Sequence, residues 1–317
     1  MDPGFRRDER VDSLAPMPRL HTVRNLILGA LVVAGLLYLA VAGLVYVNQR
    51  SLMYFPDAER SAPDAAGPAI QVVEIATDDG ERLVGWWLPP QEGQPTLLFF
   101  NGNAAGLAGQ RGRWRRIADQ GLGFLAIGYR GYDGSTGSPS EAGLHEDARA
   151  AWDWLAARTD TADIVIHGFS LGSGVATRLA TERPARALIL EAPYTSTADV
   201  AARSYPWLPV RWLMKDQYRS ADIIDQVDMP ILILHGNVDE VIPYDLGRTL
   251  YDRAPAPKQF IRMIGSNHNT LVRDGGYDHI WRFLGLTPVG PSAAPGHQAD
   301  VEILRERRPA ATPSKAP

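Results

Sequence analysis

The sequence predicts an α/β domain built on a mostly parallel, eight-stranded sheet covered by helices, and three observations carry that prediction. Short β-rich runs recur through the middle of the chain, helical patterns separate most of the later runs, and some runs are apolar at every position. The runs are Ile70–Ala76, Leu83–Leu88, Thr96–Phe100, Gly123–Gly128, Asp163–His167, Arg186–Leu190, Pro230–Leu234 and Lys258–Met263, with helical patterns such as Glu141–Arg158 and Gly172–Thr181 between them. Strands that alternate with helices imply a parallel sheet, because each helix carries the chain back to start the next strand in the same direction. Leu97-Leu98-Phe99-Phe100 and Ile231-Leu232-Ile233-Leu234 have no polar face, as a strand covered on both sides requires. The first two runs have no helix between them and are expected to pair antiparallel at one edge of the sheet. No internal repeat is visible.

Composition narrows the function classes. The 317 residues suit one large domain with appendages, and 45% hydrophobic content can fill its core. The net charge is −4 and no Lys/Arg block stands out, which argues against a nucleic-acid partner. With no cysteine in the chain, disulfides, Cys-ligated zinc and a thiol nucleophile are excluded. The histidines show no paired metal-ligand spacing, so neither a metal nor any other cofactor is expected.

The ends of the chain differ from its middle. Leu26 to Val47 carries no charge and is apolar all round. At about 1.5 Å per residue it matches a hydrocarbon core of roughly 30 Å. It is also too long for the apolar region of a signal peptide, and no small-x-small cleavage site follows it. An uncleaved transmembrane anchor over residues 26–47 is expected. Arg6, Arg7, Arg10, Arg19 and Arg24 precede it, whereas Arg50 and Arg60 follow it among Asp57 and Glu59. That bias puts residues 1–25 in the cytoplasm and the bulk of the chain, residues 48–286, on the outer side. Residues 1–16 show no apolar period, and Met17-Pro18-Arg19 would make a natural start of translation. Residues 287–317 are dominated by Pro, Ala, Gly and charge and are expected to be disordered, because they cannot bury enough apolar surface to offset their ordering entropy.

The chemistry centres on Gly168-Phe169-Ser170-Leu171-Gly172, a G-x-S-x-G directly after one strand run and before a helical pattern. In that context the strand must turn sharply into a helix, and glycine on either side leaves room for the turn. The serine hydroxyl is then held at the carboxyl end of the sheet, above a helix N-terminus that favours developing negative charge. Such a serine needs a base, and the base an acid, in the chain order Ser…Asp/Glu…His. His268, in the loop after the last strand run, is the candidate base. Asp239, in the loop after Ile231–Leu234, is the candidate acid, with Glu240 as its competitor. Both loops leave the edge of the sheet where open α/β sheets bind ligands. His279 sits in a helical pattern, His167 and His235 suit hydrogen-bonded structural roles, and His145 has the wrong order. For the oxyanion, one backbone N–H is expected from Leu171, and a second from Asn103 in the loop Asn101-Gly102-Asn103-Ala104-Ala105-Gly106.

These motifs resemble a known family. Gln49-Arg50-Ser51-Leu52-Met53-Tyr54-Phe55-Pro56, Gly102-Asn103-Ala104, Tyr129-Arg130-Gly131-Tyr132 and Gly137-Ser138-Pro139-Ser140-Glu141 lead to the serine elbow. Ala192-Pro193-Tyr194-Thr195-Ser196 and Tyr205-Pro206-Trp207-Leu208-Pro209 follow it. Together with Asp239 and His268, they make the chain similar to bud-emergence type α/β-hydrolases, whose relatives include depalmitoylating and lysophospholipid-cleaving hydrolase-domain proteins. The resemblance runs from the anchor to about Leu286. It implies the α/β-hydrolase fold and the nucleophile, acid and base roles for Ser170, Asp239 and His268. Asn101, Phe169 and Gly128 depart from the residues usual in relatives (His, Arg and Asp), which bears on substrate preference and oxyanion-loop geometry.

Between Leu190 and Pro230 the chain inserts only a short helical segment, so a small lid over about residues 197–226 is expected. Its Tyr205, Trp207 and Trp212 are candidate contacts for an acyl chain, or else pack against the domain. The expected activity is that of a serine hydrolase of the carboxylesterase, thioesterase or lysophospholipase kind, acting near the membrane on a small or lipid-like acyl substrate. The competing readings are a catalytically silent, membrane-tethered binding module and a serine peptidase on the same fold.

Overall fold

The computed structural model describes residues 20–57, 59–64, 67–104, 106–290 and 293–307. They fall in two compact units, one ending at Val47 and the other beginning at Asn48. The described residues of the first unit are helical. Helix α1, Leu20–Met53, runs through it and into the opening residues of the second. None of its side chains between Leu26 and Val47 is buried, and the helix is long and apolar enough to cross a membrane. Arg6, Arg7, Arg10, Arg19 and Met17, on which the expected orientation and start rest, lie outside the described residues.

The second unit is a sheet with helices on both faces. In chain order it carries β1 Gln71–Ala76, β2 Arg82–Leu88, β3 Thr96–Phe100, α2 Arg111–Asp119, β4 Gly123–Ile127, α3 Glu141–Ala156, β5 Ile164–Phe169 and α4 Leu171–Glu182. It continues with β6 Ala187–Glu191, α5 Thr197–Ser204, α6 Val210–Leu213, β7 Ile231–Gly236, α7 Tyr244–Arg253, β8 Lys258–Met263, α8 Gly276–Phe283 and β9 Val301–Glu306. The strand order is β1-β2-β4-β3-β5-β6-β7-β8-β9. Neighbours from β4 through β8 are parallel. The β1–β2, β2–β4 and β8–β9 pairs are antiparallel.

Alternation along each central strand explains the doubly apolar runs. Leu98 and Phe100 of β3 join Ile164 and Ile166 of β5 and Leu188 and Leu190 of β6 in one core, closed by Leu144 of α3, Val175 and Leu179 of α4, and Leu250 of α7. Leu97 and Phe99, one residue out of step, face a second core with Trp114 and Ile117 of α2 and Tyr277 and Ile280 of α8. Side chains on a strand point alternately to its two faces, so a strand between two helical layers is apolar throughout. Helix α3 starts where Ser140 caps it, its hydroxyl accepting the Gly143 N–H at 3.1 Å.

Among the described residues the sheet has nine strands where eight were expected, and the expected disordered tail is the source of the ninth. Val301–Glu306 pairs residue for residue with Lys258–Met263, although almost all of its side chains remain exposed. Apolar burial was the wrong criterion for this segment. Its order comes from the backbone hydrogen bonds that the open edge of β8 offers, a template that needs little of the added strand's side chains. Residues 291, 292 and 308–317 lie outside the described residues.

Candidate active site

Four strand ends place the site. The strand β5 ends at Phe169, and Ser170 turns the chain into α4 with φ 54° and ψ −122°, a conformation that costs a non-glycine residue energy. The strain is held from both sides. The Ser170 N–H donates to Glu191 O at the end of β6 at 2.9 Å, and the Ser173 hydroxyl donates to Ser170 O at 2.7 Å. The flanking glycines are required by close approach. A Cβ on Gly168 would lie 2.3 Å from Gly172 O, and one on Gly172 would lie 2.1 Å from Phe100 O.

Ser170, His268 and Asp239 form one hydrogen-bonded row. The Ser170 Oγ lies 2.9 Å from His268 Nε2, and His268 Nδ1 lies 2.8 Å from Asp239 Oδ2. A carboxylate only accepts, so Nδ1 carries the imidazole proton and Nε2 is left as acceptor for the serine O–H. The Asp239 side chain is fully buried, and its Oδ1 accepts the N–H groups of Val241 at 2.9 Å and Ile242 at 2.8 Å. Burial alone would push its carboxyl up, but hydrogen bonds from His235, His268 and the Ile242 N–H outweigh it and hold the group well below the usual carboxylate range. Asp239 therefore stays ionised. Glu240 is exposed beside it and takes no place in this row.

The remaining histidines are elsewhere. His167 Nε2 donates to Glu191 at 2.6 Å, and His235 Nε2 donates to Ile242 O at 3.0 Å, both buried within strands. His145 lies on α3 with Glu141 at 3.7 Å, and His279 is buried in α8.

Leu171 is the first residue of α4, so its N–H has no acceptor within the helix. The Tyr194 hydroxyl donates to Leu171 O at 3.0 Å and steadies that first turn. Asn103 serves as a tie. Its side-chain amide donates to Met53 O at 2.9 Å, and its carbonyl accepts the Tyr132 hydroxyl at 3.0 Å and the Phe55 N–H at 3.1 Å. Gly102, one residue earlier, packs directly against the serine, and a Cβ there would lie 3.4 Å from Ser170 Cβ. Tyr205, Trp207 and Trp212 lie on the short helical segment between β6 and β7 with 52%, 53% and 89% of their surface exposed. The cleft beside His268 is lined by other residues.

A buried charged group that sequence reasoning missed sits behind the elbow. Arg113 of α2 forks onto Glu191, its Nη1 approaching Oε1 and its Nη2 lying 3.2 Å from Oε2, and Nη1 also donates to the Tyr277 hydroxyl at 2.8 Å. The guanidinium lies over the rings of Phe99 and Phe169. Burial raises the Glu191 carboxyl, but the Arg113 charge and the His167 hydrogen bond prevail and hold it at about 2. Glu191 thus joins a buried ion pair to the strand end whose carbonyl holds the serine N–H. One signal in the sequence was available: a glutamate closing the otherwise apolar run Ala187-Leu188-Ile189-Leu190.

Comparison with known proteins gives a consistent result. A family model described as serine aminopeptidase, S33, matches residues 96–223. An uncharacterized protein of Mycobacterium tuberculosis is 42% identical over 76% of this chain and 89% of its own length. The α/β hydrolase domain-containing protein WAV2 of Arabidopsis thaliana is 33% identical over 72% of this chain and 80% of its own. The lysophosphatidylserine lipase ABHD12 of Xenopus tropicalis is 33% identical over 58% of this chain, which spans about half (53%) of that relative. Among solved structures, a Pyrococcus furiosus esterase superposes with a TM-score of 0.58 at 18% identity, covering 74% of this chain and 96% of its own. An α/β hydrolase from Vibrio vulnificus gives 0.61 at 22% identity, covering 73% and 89%. At these identities the solved structures speak for the fold alone.

Proposed function

This chain belongs to the α/β-hydrolase superfamily, and from that premise we propose that it is a serine hydrolase that cleaves carboxylic ester or thioester bonds through an acyl-enzyme. The observation that carries the reading is the row Ser170–His268–Asp239 at a strained elbow, with the serine proton directed at a free imidazole nitrogen. His268 Nε2 takes the Ser170 proton as Oγ attacks the acyl carbon. The carbonyl electrons move onto oxygen, where the Leu171 and Asn103 N–H groups stabilise the oxyanion. Collapse expels the leaving alkoxide or thiolate, which receives the proton from His268. Water, deprotonated by the same nitrogen, then attacks the acyl-enzyme, releasing the acid and returning the proton to Ser170. Asp239 fixes the tautomer and stabilises the imidazolium in both halves. Besides the substrate and water, these steps use only the chain's own residues.

Labelling with a fluorophosphonate probe tests this directly. The full chain is expected to label, and Ser170→Ala to lose both labelling and ester hydrolysis, the latter by at least about 10⁴-fold. A folded parent that does not label would favour the silent binding-module reading.

The reading includes a place at the membrane. Helix α1 is proposed as an anchor, with the N-terminal segment cytoplasmic and the second unit outside. The chain should then remain in the membrane fraction after alkaline carbonate extraction, and protease added to intact spheroplasts should reach the second unit. Release by carbonate would remove the anchor, and protection from protease would reverse the orientation. The exposed Tyr205, Trp207 and Trp212 are proposed to meet the chain of a lipid-like acyl group. Trp212→Ala should lower hydrolysis of long-chain esters several-fold more than that of short-chain esters, and equal losses would count against this role.

A further inference from the structure

The stretch Gln49-Arg50-Ser51-Leu52-Met53-Tyr54-Phe55-Pro56 takes no part in the acyl-enzyme steps above. All of it belongs to the second unit, and its first five residues are the end of α1. The last carbonyls of a helix have no N–H partner within it. Met53 O, the final one, accepts the side-chain amide of Asn103 at 2.9 Å.

That bond reaches the oxyanion loop, where Asn103 is held on two sides. Its carbonyl accepts the Phe55 N–H at 3.1 Å and the Tyr132 hydroxyl at 3.0 Å. The Tyr129 hydroxyl holds Asn101 O at 3.0 Å. A residue has two soft backbone dihedrals, so fixing both the side chain and the carbonyl of Asn103 fixes its N–H as well. Where that N–H stands therefore depends on where Met53 and Phe55 stand.

The same stretch is fastened at its other end to the segment between β6 and β7. Arg50 forks onto the buried Asp216, with Nε 2.8 Å from Oδ2 and Nη2 3.2 Å from Oδ1. The Gln49 amide donates to Leu213 O at 3.2 Å, and its side-chain oxygen accepts the Lys215 N–H at 2.7 Å. The Tyr54 and Tyr218 hydroxyls meet at 2.9 Å, their rings buried in the core that also takes Leu171. A forked guanidinium–carboxylate pair fixes direction as well as distance, so the last turn of α1 is held in one orientation. A mere tether needs none of these bonds. We infer that residues 49–55 are a positioning element of the reaction: fastened through Gln49 and Arg50 to the segment between β6 and β7, they hold the Asn103 N–H where the oxyanion forms. The inference rests on the serine-hydrolase reading above and adds to it residues that touch no substrate.

The test uses the full chain in non-ionic detergent, with a short-chain p-nitrophenyl ester and a trifluoromethyl ketone of the same acyl length. Ser170 Oγ bonds to the ketone carbon, its proton passes to His268 Nε2, and the carbonyl electrons move onto oxygen. This adduct carries the oxyanion and the bound ester does not, so a displaced loop raises Ki and lowers kcat without raising KM. Asn103→Ala deletes the amide that reaches Met53 O and keeps the backbone N–H. It is expected to lower kcat about 10- to 100-fold and to raise Ki by a similar factor, with KM within about twofold of the parent. Tyr132→Phe, which loosens the Asn103 carbonyl alone, should act in the same direction. Arg50→Ala should lower kcat and raise Ki by about fivefold or more, and Arg50→Lys should keep part of the parent's activity. Arg248→Ala, an exposed arginine on α7 paired with Asp252, should change neither. Circular dichroism checks that each variant is folded. Unchanged kcat and Ki in either folded Asn103→Ala or folded Arg50→Ala overturns the inference, and so does a loss that appears in KM alone. Should either variant fail to fold, Tyr132→Phe and Arg50→Lys decide by the same two constants. A parent that neither labels with fluorophosphonate nor cleaves the ester fails the serine-hydrolase reading and takes the inference with it. An active parent indifferent to these changes loses the inference alone.

Discussion

Changing Asp239 to asparagine is expected to lower kcat for ester hydrolysis by about 10⁴-fold while leaving the fold and KM nearly unaltered. The size of the effect follows from which atom of the new amide faces the histidine. Oδ1 of Asp239 accepts two backbone N–H groups, from Val241 and Ile242, and the asparagine carbonyl oxygen must stay there to satisfy them. Its NH₂ is then directed at His268 Nδ1, where Asp239 Oδ2 now accepts at 2.8 Å. A donor facing Nδ1 forces the ring proton onto Nε2, and the Ser170 hydroxyl loses its base. Steady-state kinetics on a short-chain p-nitrophenyl ester measure the loss. Glu240→Gln, at the exposed neighbour, should change little. A loss below about tenfold for Asp239→Asn would mean that the tautomer is set by something other than this carboxylate.

The second large effect is on stability. Glu191→Gln leaves the Arg113 guanidinium, whose side chain is 3% exposed, without its counter-charge. Removing one partner of a buried pair costs about 3–5 kcal/mol, because the remaining charge stays desolvated. For a domain of this size that is a fall in Tm of roughly 10 °C, readable by circular dichroism of the detergent-solubilised chain. The Arg113→Met/Glu191→Leu double variant should lose much less, since neither charge is then stranded. Equal losses in the two would show that packing, not charge, is what the pair supplies. The pH dependence has a definite sign. Glu191 is held at about 2 in the folded chain, below its ordinary value of 4.5. Its contribution is therefore fully present above pH 4.5 and is lost as pH falls toward 2. The gap in Tm between the parent and Glu191→Gln should narrow over that interval.

Much of this architecture was legible from local pattern. The runs Leu97–Phe100 and Ile231–Leu234 had to be strands covered on both faces, and both are found so, each strand sending alternate residues to two cores. The elbow was legible because Gly168 and Gly172 have a steric reason to be glycine that no neighbouring residue type could meet. Asp239 and His268 were found from their offsets after strands. The parts that escaped depend on long-range pairing. Arg113 stands in Arg111-Gly112-Arg113-Trp114-Arg115-Arg116, which reads as the solvated face of a helix. Only the fold brings it to Glu191 and shows that one arginine of that run is buried while another lines a cleft. The ninth strand escaped for a related reason: its order comes from a partner strand and not from its own composition.

That ninth strand has a bearing on how molecules behave in a crowd. Without Val301–Glu306, the strand Lys258–Met263 would end the sheet with a row of unpaired amides and carbonyls, an invitation to any extended chain that drifts past, including the same segment of a second molecule. With it, the outermost rung carries Glu302, Arg305 and Glu306 in six residues, and an approaching copy would have to strip water from those charges before it could add to the ladder. The segment works as a selvedge, a finished border that keeps the sheet from being extended by its neighbours.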